Sequence, residues 1–434
     1  MTTRDTTTPD TTTPDTTPRH TTSQNTTHRD PRSVHVIVLG AGYAGAMAAN
    51  RLRSNPHIHV TVVNPQPFFV QRIRLHQWAA RTGQPQVGFD HLLADGIRIV
   101  VDSATRIDAP ARRVHLAAGT SLDYDHLIVA VGTRHAVSVI PGAADHGFPV
   151  ADWDAAQRLR RHLGRTPAGE SVTVVGGGLT GVELAAELAE RGRPVRLVCG
   201  GTIAGSVGNR ARRATLAQLG RVGVEVFEHG RVVDITSATV TVADAGESRV
   251  LPSAITILAT GFEAPALAAD SGLTTDAIGR LRTDRMLTSV DDDRIVGAGD
   301  AIAVDGLPVR MSCQAAQPLG AQAADVVLAR VAGEPVAQAD QAFVAQCTSI
   351  GRRAATLQFT RRDDSPAPVV VTGRLAALAK EVVCRGTVWN IRRESKKPGA
   401  FRWMRGGGPA AAQGSAPDVA TSPPASADRD LTRR

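Results

Sequence analysis

The sequence feature that most constrains the fold is one supersecondary pattern that occurs twice. In each copy a short run rich in valine and isoleucine ends in glycine, a helical pattern follows, and a second apolar run closes the unit. We predict a strand, a helix and a strand at 34–39, 43 to about 53 and 58–63 in the first copy, and at 171–175, 181–191 and 195–198 in the second. Short apolar runs that alternate with helices are typical of parallel sheets. The repeat therefore predicts two α/β units of the same kind.

Each copy places a glycine-rich turn between its first strand and its helix. The turns read Gly40-Ala41-Gly42-Tyr43-Ala44-Gly45 and Gly176-Gly177-Gly178-Leu179-Thr180-Gly181. In this G-x-G-x-x-G pattern the first glycine permits a tight turn, the second lets the backbone approach a pyrophosphate, and the third lets helix and strand pack closely. The helix N-terminus adds free N–H groups and a partial positive charge. We predict one dinucleotide site at each turn, bound by Gly40, Ala41, Gly42, Ala44 and Gly45 in the first and by Gly176, Gly178 and Gly181 in the second.

Five motifs, in order along the chain, resemble the FAD-dependent pyridine nucleotide oxidoreductases. They are the first glycine turn, 124–133 (YDHLIVAVGT), the second turn continued to Glu183, 258–262 (LATGF) and 296–301 (VGAGDA). Together they cover about 34–331. The resemblance implies an α/β fold with two Rossmann-like dinucleotide-binding domains, the NAD(P)H domain inserted in the FAD domain, plus a small C-terminal region.

The resemblance also implies the cofactors and further site residues. FAD and NAD(P)H are expected, with Ala130, Gly132, Gly261, Gly299 and Asp300 added to the cofactor-binding residues. Asp300 would lie at the flavin ribityl chain. Glu183 would lie near the nicotinamide ribose and the flavin, although an acid in the first turn of a helix is also favourable electrostatics by itself.

Domain boundaries follow from these motifs and from the composition. Runs at 98–101, 114–116 and 127–131 are predicted to be strands that finish the first unit, and Pro141, Gly142 and Pro149 mark a linker. The two ends are low-complexity tracts with little apolar surface to bury. The predicted division is a disordered tail at 1–31, the two parts of the FAD-binding domain at 32–150 and 265–335, the NAD(P)H-binding domain at 151–264, a C-terminal region at 336–404 and a disordered tail at 405–434.

The acid that usually ends the second strand and binds the adenosine ribose is missing from both copies. Spacing puts Asn64 in that position in the first copy and Cys199 in the second. An asparagine can still hydrogen-bond a ribose, so Asn64 is predicted to bind cofactor. The second site gives no carboxylate to favour NADH over NADPH. Arg212 or Arg213 could meet a 2′-phosphate or could be solvated surface residues, and the sequence leaves this open.

The electron acceptor is inferred from a missing motif and a resemblance. Disulfide-reducing members of the family carry a C-x-x-x-x-C motif, whereas the corresponding stretch 68–80 has no cysteine. The segment 312–320 (SCQAAQPLG) resembles the Ala-Gln-x-Ala-x-Gln-x-Gly segment of the type II NADH:quinone dehydrogenases, apart from Pro318. That resemblance implies that Gln314 and Gln317 lie beside the flavin and that a quinone is the acceptor.

The C-terminal region combines an apolar helical face with basic residues. Leu375, Leu378, Val382, Val383 and Trp389 approximate one face, and the charged residues around it are Arg374, Lys380, Arg385, Arg392, Arg393, Lys396 and Lys397. Such a helix can lie on a membrane surface, pack on its own domain or form a dimer. Peripheral membrane contact is the expectation that the resemblance favours.

Composition argues against several other classes of protein. Aromatic residues make up 3% of the chain, too few for a nucleic-acid surface of basic and aromatic residues, despite a net charge of +8. The four cysteines are far apart, so no metal site is predicted and each is expected to be a small buried hydrophobe. Without a run of about 18 apolar residues or a signal peptide, we expect a cytoplasmic protein, and the resemblance adds the inner face of the cell membrane as a location.

The sequence therefore predicts an FAD-dependent NAD(P)H dehydrogenase that passes electrons from the flavin to a small quinone-like acceptor. Glu183, Gln314 and Gln317 are the catalytic candidates, and no side-chain nucleophile is required. Two alternatives stay open at this point. One is a soluble diaphorase or ferredoxin-type reductase, and the other is a redox-dependent binding protein with slow turnover.

Overall fold

The computed structural model describes residues 33–244 and 246–406. Its β-strands, in chain order, are β1 Val34–Leu39, β2 Ile58–Asn64, β3 Phe68–Val70, β4 Gln86–Gly88, β5 Arg98–Val101, β6 Ala104–Asp108, β7 Arg113–Leu116, β8 Ser121–Asp123, β9 His126–Val129, β10 Arg134–His135, β11 Gly147–Pro149, β12 Val172–Val175, β13 Val195–Val198, β14 Val224–Phe227, β15 Arg231–Ile235, β16 Thr239–Asp244, β17 Glu247–Pro252, β18 Ile255–Leu258, β19 Phe262–Glu263, β20 Leu281–Thr283, β21 Ile295–Gly297, β22 Ile302–Val304, β23 Ala345–Ile350, β24 Ala354–Thr360 and β25 Pro366–Thr372.

The α-helices are distributed among these strands. They are α1 Tyr43–Leu52, α2 Leu75–Ala79, α3 Ala143–His146, α4 Trp153–Arg165, α5 Leu179–Glu190, α6 Asn209–Arg221, α7 Leu267–Asp270, α8 Cys313–Ala332 and α9 Gly373–Lys396. Short 3₁₀ helices span Arg72–Arg74, Phe89–His91 and Gly299–Ala301. The predicted tails at 1–31 and 405–434 lie outside the described residues, apart from 405 and 406.

The first parallel sheet has the strand order β21-β9-β1-β2-β5. Its central strand β1 is apolar along its whole buried length, and Val36, Ile37 and Val38 are fully buried. Such continuous apolar strands are typical of sheets covered by helices on both faces. Each fully buried aliphatic side chain contributes roughly 1.5–3 kcal/mol relative to an exposed one.

The second parallel sheet has the order β11-β18-β12-β13-β14. All of its strands come from 147–258, between β9 and β21 of the first sheet. The chain thus leaves the first sheet, builds the second and returns through β21, which lies against β9. This confirms the predicted fold class, with one nucleotide-type unit inserted in the other.

Two segments between the repeats differ from the sequence prediction. The strand predicted at 114–116 does not join the first sheet, because β7 is the centre of a separate antiparallel sheet β6-β7-β8 made by local hairpins. The predicted linker contains β11, which pairs with β18 at the edge of the second sheet. Pro149 is tolerated there because an edge strand needs no N–H on its free side. The domain boundaries at 150 and 264 stay predictions.

The C-terminal region forms a three-stranded antiparallel sheet, β23-β24-β25, followed by α9. The second half of α9 packs on the first unit, where Val388 and Ile391 join its core. Arg51 of α1 pairs with Glu394 over 3.1 Å and with Asp325 of α8 over 2.5 Å. None of the helices in the described ranges is long and apolar enough to span a membrane.

Candidate functional site

A cavity of about 1130 Å³ opens where the two units meet the C-terminal region. Its lining includes the first glycine turn, the segments that follow β2 and β9, the start of α5, the start of α8 and one face of α9. The carboxyl ends of parallel strands, where these segments lie, are the usual position of ligand sites in α/β sheets. We therefore take this cavity as the candidate functional site.

The first glycine turn is shaped to receive a phosphate-bearing ligand. Gly40 has φ +94°, and a Cβ there would lie 2.5 Å from the Ala130 carbonyl oxygen. A Cβ on Gly45 would overlap the Gly40 carbonyl oxygen, so the helix begins in direct contact with the turn. At Gly42, by contrast, no heavy atom lies within 4 Å of the Cβ position. That open space at a helix N-terminus fits the pyrophosphate of FAD.

Asn64 stabilises this turn through its side chain. Its Oδ1 accepts from the Ala41 N–H over 2.9 Å, and its Nδ2 donates to the Gln66 carbonyl over 2.7 Å. Asn64 also lines the cavity. Its predicted contact with a ribose stays a prediction, while its role in fixing the turn is a property of the fold.

Asp300 lines the cavity from the 3₁₀ helix that follows β21. Its Oδ1 accepts from the Ser312 N–H over 3.0 Å, which ties Asp300 to the start of α8. Burial raises the pKa of the Asp300 carboxyl, and the nearby Arg72 guanidinium works in the opposite direction. A carboxyl group held in this way can accept hydrogen bonds from ligand hydroxyls. Ala130 and Gly132, which follow β9, also line the cavity, and Gly299 directly precedes Asp300 in the same 3₁₀ helix.

Arg72 was not among the predicted site residues. It lines the cavity and donates to the Thr133 hydroxyl over 3.3 Å and to the Ala151 carbonyl over 2.9 Å. Its 3₁₀ helix lies in the stretch 68–80, where the absence of cysteine was the only feature that entered the prediction. A basic residue beside a predicted nucleotide site was the signal that could have identified it.

The second glycine turn has the same backbone as the first. Gly176 has φ +122°, where a Cβ would overlap the Ala259 carbonyl oxygen, and a Cβ on Gly181 would overlap the Gly176 carbonyl oxygen. Gly178 has open space around it, as Gly42 has. Gly261, from the LATGF motif, follows β18 next to this turn. The predicted nucleotide-binding residues are thus brought together at the carboxyl ends of β12 and β18 in the second sheet.

Glu183 lies in the cavity at the centre of a group of polar side chains. One carboxylate oxygen accepts from the Lys380 ammonium, and the same oxygen accepts from the Ser349 N–H over 3.0 Å and from the Ser349 hydroxyl over 3.1 Å. The other oxygen lies 3.6 Å from Nδ1 of His76. Residues from α5, β23, α9 and α2 thus meet at one point.

The position of Lys380 differs from the sequence prediction. Lys380 was grouped with the basic residues around the apolar face of α9, but its side chain is largely buried and reaches Glu183. Burial lowers the pKa of Lys380 to about 8. Burial, followed by the charge of Lys380, also lowers the pKa of His76 well below its usual value, so this imidazole is neutral at pH 7. The group can therefore hold and exchange protons near neutral pH.

The two predicted glutamines connect α8 to the C-terminal region. Gln317 donates to the Thr387 carbonyl over 2.6 Å and accepts from the Asn390 amide over 3.2 Å. In the orientation that satisfies its amide, Gln314 donates to the Ala345 carbonyl and accepts from the Val344 N–H, both over 3.1 Å. Both residues line the cavity. Their predicted catalytic roles stay predictions.

Three of the four cysteines line the same end of the cavity as these glutamines. Cys313 begins α8, Cys347 belongs to β23 and Cys384 to α9, and all are free thiols. Burial raises the pKa of Cys313 and of Cys347 to about 12. These thiols stay protonated at pH 7 and are poor nucleophiles, because the thiolate is the reactive form. The expectation of plain buried hydrophobes missed their location, since three separate elements bring them together.

Within 33–244 and 246–406, no group of three His, Cys, Asp or Glu residues is placed to hold a metal ion.

One side of α9 presents an apolar face to solvent beside the cavity. Leu375, Leu378, Val382 and Trp389 are 73%, 64%, 62% and 57% exposed. Val382 and Val383 also line the cavity. Large apolar side chains that are exposed together mark an interaction surface. We call Leu375, Leu378, Val382 and Trp389 the α9 face.

Comparison with known sequences gives a family and several relatives. The sequence model of the pyridine nucleotide-disulphide oxidoreductases matches residues 34–320. A Mycobacterium tuberculosis protein described as NADH dehydrogenase-like is 31% identical in an alignment of 331 residues that covers 69% of this chain and 82% of that protein. A type II NADH:quinone oxidoreductase of Staphylococcus epidermidis is 30% identical in an alignment of 178 residues that covers 36% of this chain and 43% of that protein.

Solved structures share the fold at lower identity. The sulfide:quinone oxidoreductase of Aquifex aeolicus superposes with a TM-score of 0.71 at 20% identity, over 83% of this chain and 92% of that one. The NDH2 of Plasmodium falciparum superposes with a TM-score of 0.70 at 15% identity, over 85% of this chain and 99% of that one. These structures confirm the predicted architecture of two dinucleotide units.

Proposed function

Because the chain belongs to the pyridine nucleotide-disulphide oxidoreductase family, we propose that this FAD- and NAD(P)H-dependent oxidoreductase passes its electrons to a quinone-like acceptor. The acceptor would bind at the end of the cavity formed by α8, β23 and α9. The observation that carries the proposal is the continuity of apolar surface there, because Val382 belongs both to the cavity lining and to the α9 face. An apolar acceptor would therefore meet apolar side chains both on the helix surface and in the cavity.

The residues present fit FAD at the first glycine turn. Gly40, Gly42 and Gly45 shape the pyrophosphate site, and Asp300 offers a carboxyl group to hydroxyls of the ligand. Ala41, Ala44, Asn64, Ala130, Gly132 and Gly299 complete this part of the proposed site. When bound, FAD supplies two-electron chemistry, accepting hydride from NAD(P)H and passing electrons onward. The protein contributes position and electrostatics.

The cavity favours direct transfer to the acceptor over transfer through a thiol. Burial keeps Cys313 and Cys347 protonated. Disulfide-reducing chemistry depends on a thiolate as attacking or leaving group. Three cysteines lie in the cavity, but the state in which the fold holds them is unsuited to that chemistry at neutral pH.

Lys380 supplies the proton that such a reaction consumes, and Glu183 orients it. Reduction of a quinone to a hydroquinone takes up two electrons and two protons, of which the hydride from NAD(P)H brings both electrons and one proton. The Lys380 ammonium, with a pKa of about 8, can give up a proton at neutral pH more readily than a solvated lysine. Its contact with Glu183 keeps it aimed into the cavity. Gln314 and Gln317 hold α8 and the C-terminal region in the geometry that forms this end of the site.

The α9 face would let the enzyme take a lipid-soluble acceptor from a membrane surface. Arg374 lies next to this face on the same helix, and Arg385 and Arg393 flank Trp389. A basic residue near an anionic membrane surface contributes roughly 1 kcal/mol. The apolar side chains and the flanking arginines are the combination found in helices that lie in the interface plane.

Anaerobic titration of the purified protein tests this proposal. NADH and NADPH are added in turn, the loss of flavin absorbance is followed, and menaquinone or ferricyanide is then added. We expect a nicotinamide nucleotide to bleach the flavin absorbance and the quinone to restore it. Re-oxidation by ferricyanide but not by the quinone would support a diaphorase instead. Bleaching with slow re-oxidation by both would support a redox-dependent binding protein.

A further inference from the structure

The end of β13 lacks the acid that usually binds a ribose, but the neighbouring strand supplies one. β13 and β14 run parallel, and their last aligned pair is Val198 and Phe227. The Cys199 N–H then donates to the Phe227 carbonyl over 3.0 Å. Glu228, the next residue after β14, therefore lies beside Cys199 at the same edge of the sheet, one strand away from the usual position.

Cys199 itself has nothing to offer a ribose. Its side chain is buried beneath the second glycine turn, where a Cβ on Gly177 would lie 2.8 Å from the sulfur. The thiol donates to the Gly201 carbonyl over 3.0 Å. Burial raises the pKa of this thiol, so it carries no charge at neutral pH. The negative charge at this edge of the sheet comes from Glu228.

Glu228 is fixed in place by three hydrogen bonds. One carboxylate oxygen accepts from the Ile203 N–H over 2.6 Å, and Nη2 of Arg212 donates to the two oxygens over 2.5 Å and 2.6 Å. Both side chains are about three-quarters buried. Burial alone would raise the pKa of Glu228, but the hydrogen bonds from Arg212 and Ile203 outweigh it and lower the pKa. The carboxylate is therefore charged and its orientation is set.

Open space lies on the ligand side of this pair. Gly178, Gly200 and Gly201 are exposed, and no heavy atom lies within 4 Å of the position of a Cβ on any of them. In this type of unit the adenosine ribose lies between the glycine turn and the end of the second strand. That position corresponds here to the space between Gly178 and Gly200.

We infer that Glu228 makes this enzyme select NADH over NADPH, an inference that rests on the NAD(P)H part of the proposed function. The 2′-hydroxyl of NADH can donate a hydrogen bond toward a carboxylate. The 2′-phosphate of NADPH brings close to two negative charges to the same edge, where they meet the Glu228 carboxylate. Arg212, which the sequence offered as a candidate partner of that phosphate, already forms an ion pair with Glu228.

Binding of two nucleotide fragments tests this inference without chemistry at the flavin. Isothermal titration calorimetry with ADP-ribose and 2′-phospho-ADP-ribose measures the discrimination directly in the holoenzyme. We expect ADP-ribose to bind at least tenfold more tightly in the wild type, and Glu228→Gln to reduce that ratio at least tenfold. The matched control is Glu225→Gln, which removes the exposed ion pair with Arg196 on the same two strands and should leave the ratio unchanged.

A second variant keeps the test decisive if Glu228→Gln disturbs the loop at Ile203. Arg212→Ala leaves Glu228 charged, so it should keep or increase the preference for ADP-ribose. Equal binding of the two ligands by the wild type, or a selective loss of 2′-phospho-ADP-ribose binding in Arg212→Ala, would overturn the inference. Neither result touches the rest of the proposed function, which fails separately if NADH and NADPH both leave the flavin absorbance unchanged.

Discussion

The two glycine turns have the same backbone but differ in what covers them. Over the first, α8 packs so closely on α1 that a Cβ on Gly320 would overlap the Ala44 carbonyl oxygen, and α9 adds Val388 and Ile391 to the same core. Over the second, Gly178, Gly200 and Gly201 are exposed. An enclosed site suits a cofactor that stays bound, and an open site suits a nucleotide that enters and leaves in each turnover. One sequence motif therefore serves two kinds of ligand, and the covering elements decide which.

Substitution at equivalent positions of the two turns gives the largest expected effect. Gly45→Val and Gly181→Val each introduce a side chain where even a Cβ would overlap backbone oxygen. We expect Gly45→Val to purify without flavin, whereas Gly181→Val should keep its flavin and lose bleaching by NADH. Absorbance spectra measure both.

The control for these variants is Gly220→Ala in α6, where a Cβ meets nothing within 4 Å. It should behave like the wild type in both assays. Circular dichroism shows whether each variant has folded. A folded Gly45→Val protein with full flavin content, or a Gly181→Val protein that has lost its flavin, would break the comparison between the two turns.

The cover over the first unit depends on a buried carboxylate, and its loss is the next largest effect. Glu394 is fully buried and accepts from Arg51 over 3.1 Å, from the Gly399 N–H over 2.7 Å and from the Phe401 N–H over 2.6 Å. Removing one partner of a buried pair costs about 3–5 kcal/mol. We expect Glu394→Gln to lower the free energy of unfolding by about that amount in urea denaturation.

The exposed pair of Arg282 and Asp305 provides the control for Glu394. Asp305→Asn should leave the unfolding midpoint where it is, because surface pairs contribute little. If Glu394→Gln also left the free energy of unfolding unchanged, the packing of α9 on the first unit would not depend on this carboxylate.

The Glu183 group gives a smaller effect with a pH signature. Because burial sets the pKa of Lys380 at about 8, its protonated fraction falls as the pH rises through that value. Re-oxidation of the reduced enzyme by a quinone should therefore slow above about pH 8. Lys380→Met should be roughly tenfold slower at pH 7 and should lack this decline.

Flavin bleaching by NADH should be less affected than re-oxidation in Lys380→Met, since the first half-reaction consumes no proton from this group. The exposed Lys396 of the same helix supplies the control as Lys396→Met. A wild-type rate that stays constant from pH 7 to pH 10 would remove Lys380 from the proton path.

The sequence was sufficient for the parts of the fold that local patterns specify. β1, β5 and β13 begin and end at the predicted residues, because short runs rich in valine, isoleucine and leucine that alternate with helices are typical of parallel strands. The helix of the second copy, α5, starts at Leu179, two residues earlier than predicted. Gly178 is its N-cap, so the residue that follows this glycine is already helical.

The site could be predicted only in part, because much of it is assembled from distant segments. A lysine on an amphipathic helix, such as Lys380, is predicted to be a surface charge. Its partner Glu183 lies 197 positions away in the sequence, so no local pattern connects the two. Cys313, Cys347 and Cys384 meet from three elements, so their spacing carries no signal. Glu228 was not predicted, because the sequence pattern places the ribose-binding acid after the second strand of the unit, β13. Glu228 instead follows the third strand, β14.

The smallest expected effect concerns the outer side of α9, where the cover of the first unit meets solvent. Replacing Leu375 and Leu378 by serine should weaken binding to anionic lipid vesicles about fivefold, ~1 kcal/mol for two interfacial leucines. Co-sedimentation at several salt concentrations measures this and separates the apolar part from the contribution of the arginines, which salt screens. Val250→Ser, an equally exposed apolar residue on β17, is the control. If the double variant binds vesicles as tightly as the wild type, the α9 face does not contact the membrane. The quinone would then have to reach the cavity from solution.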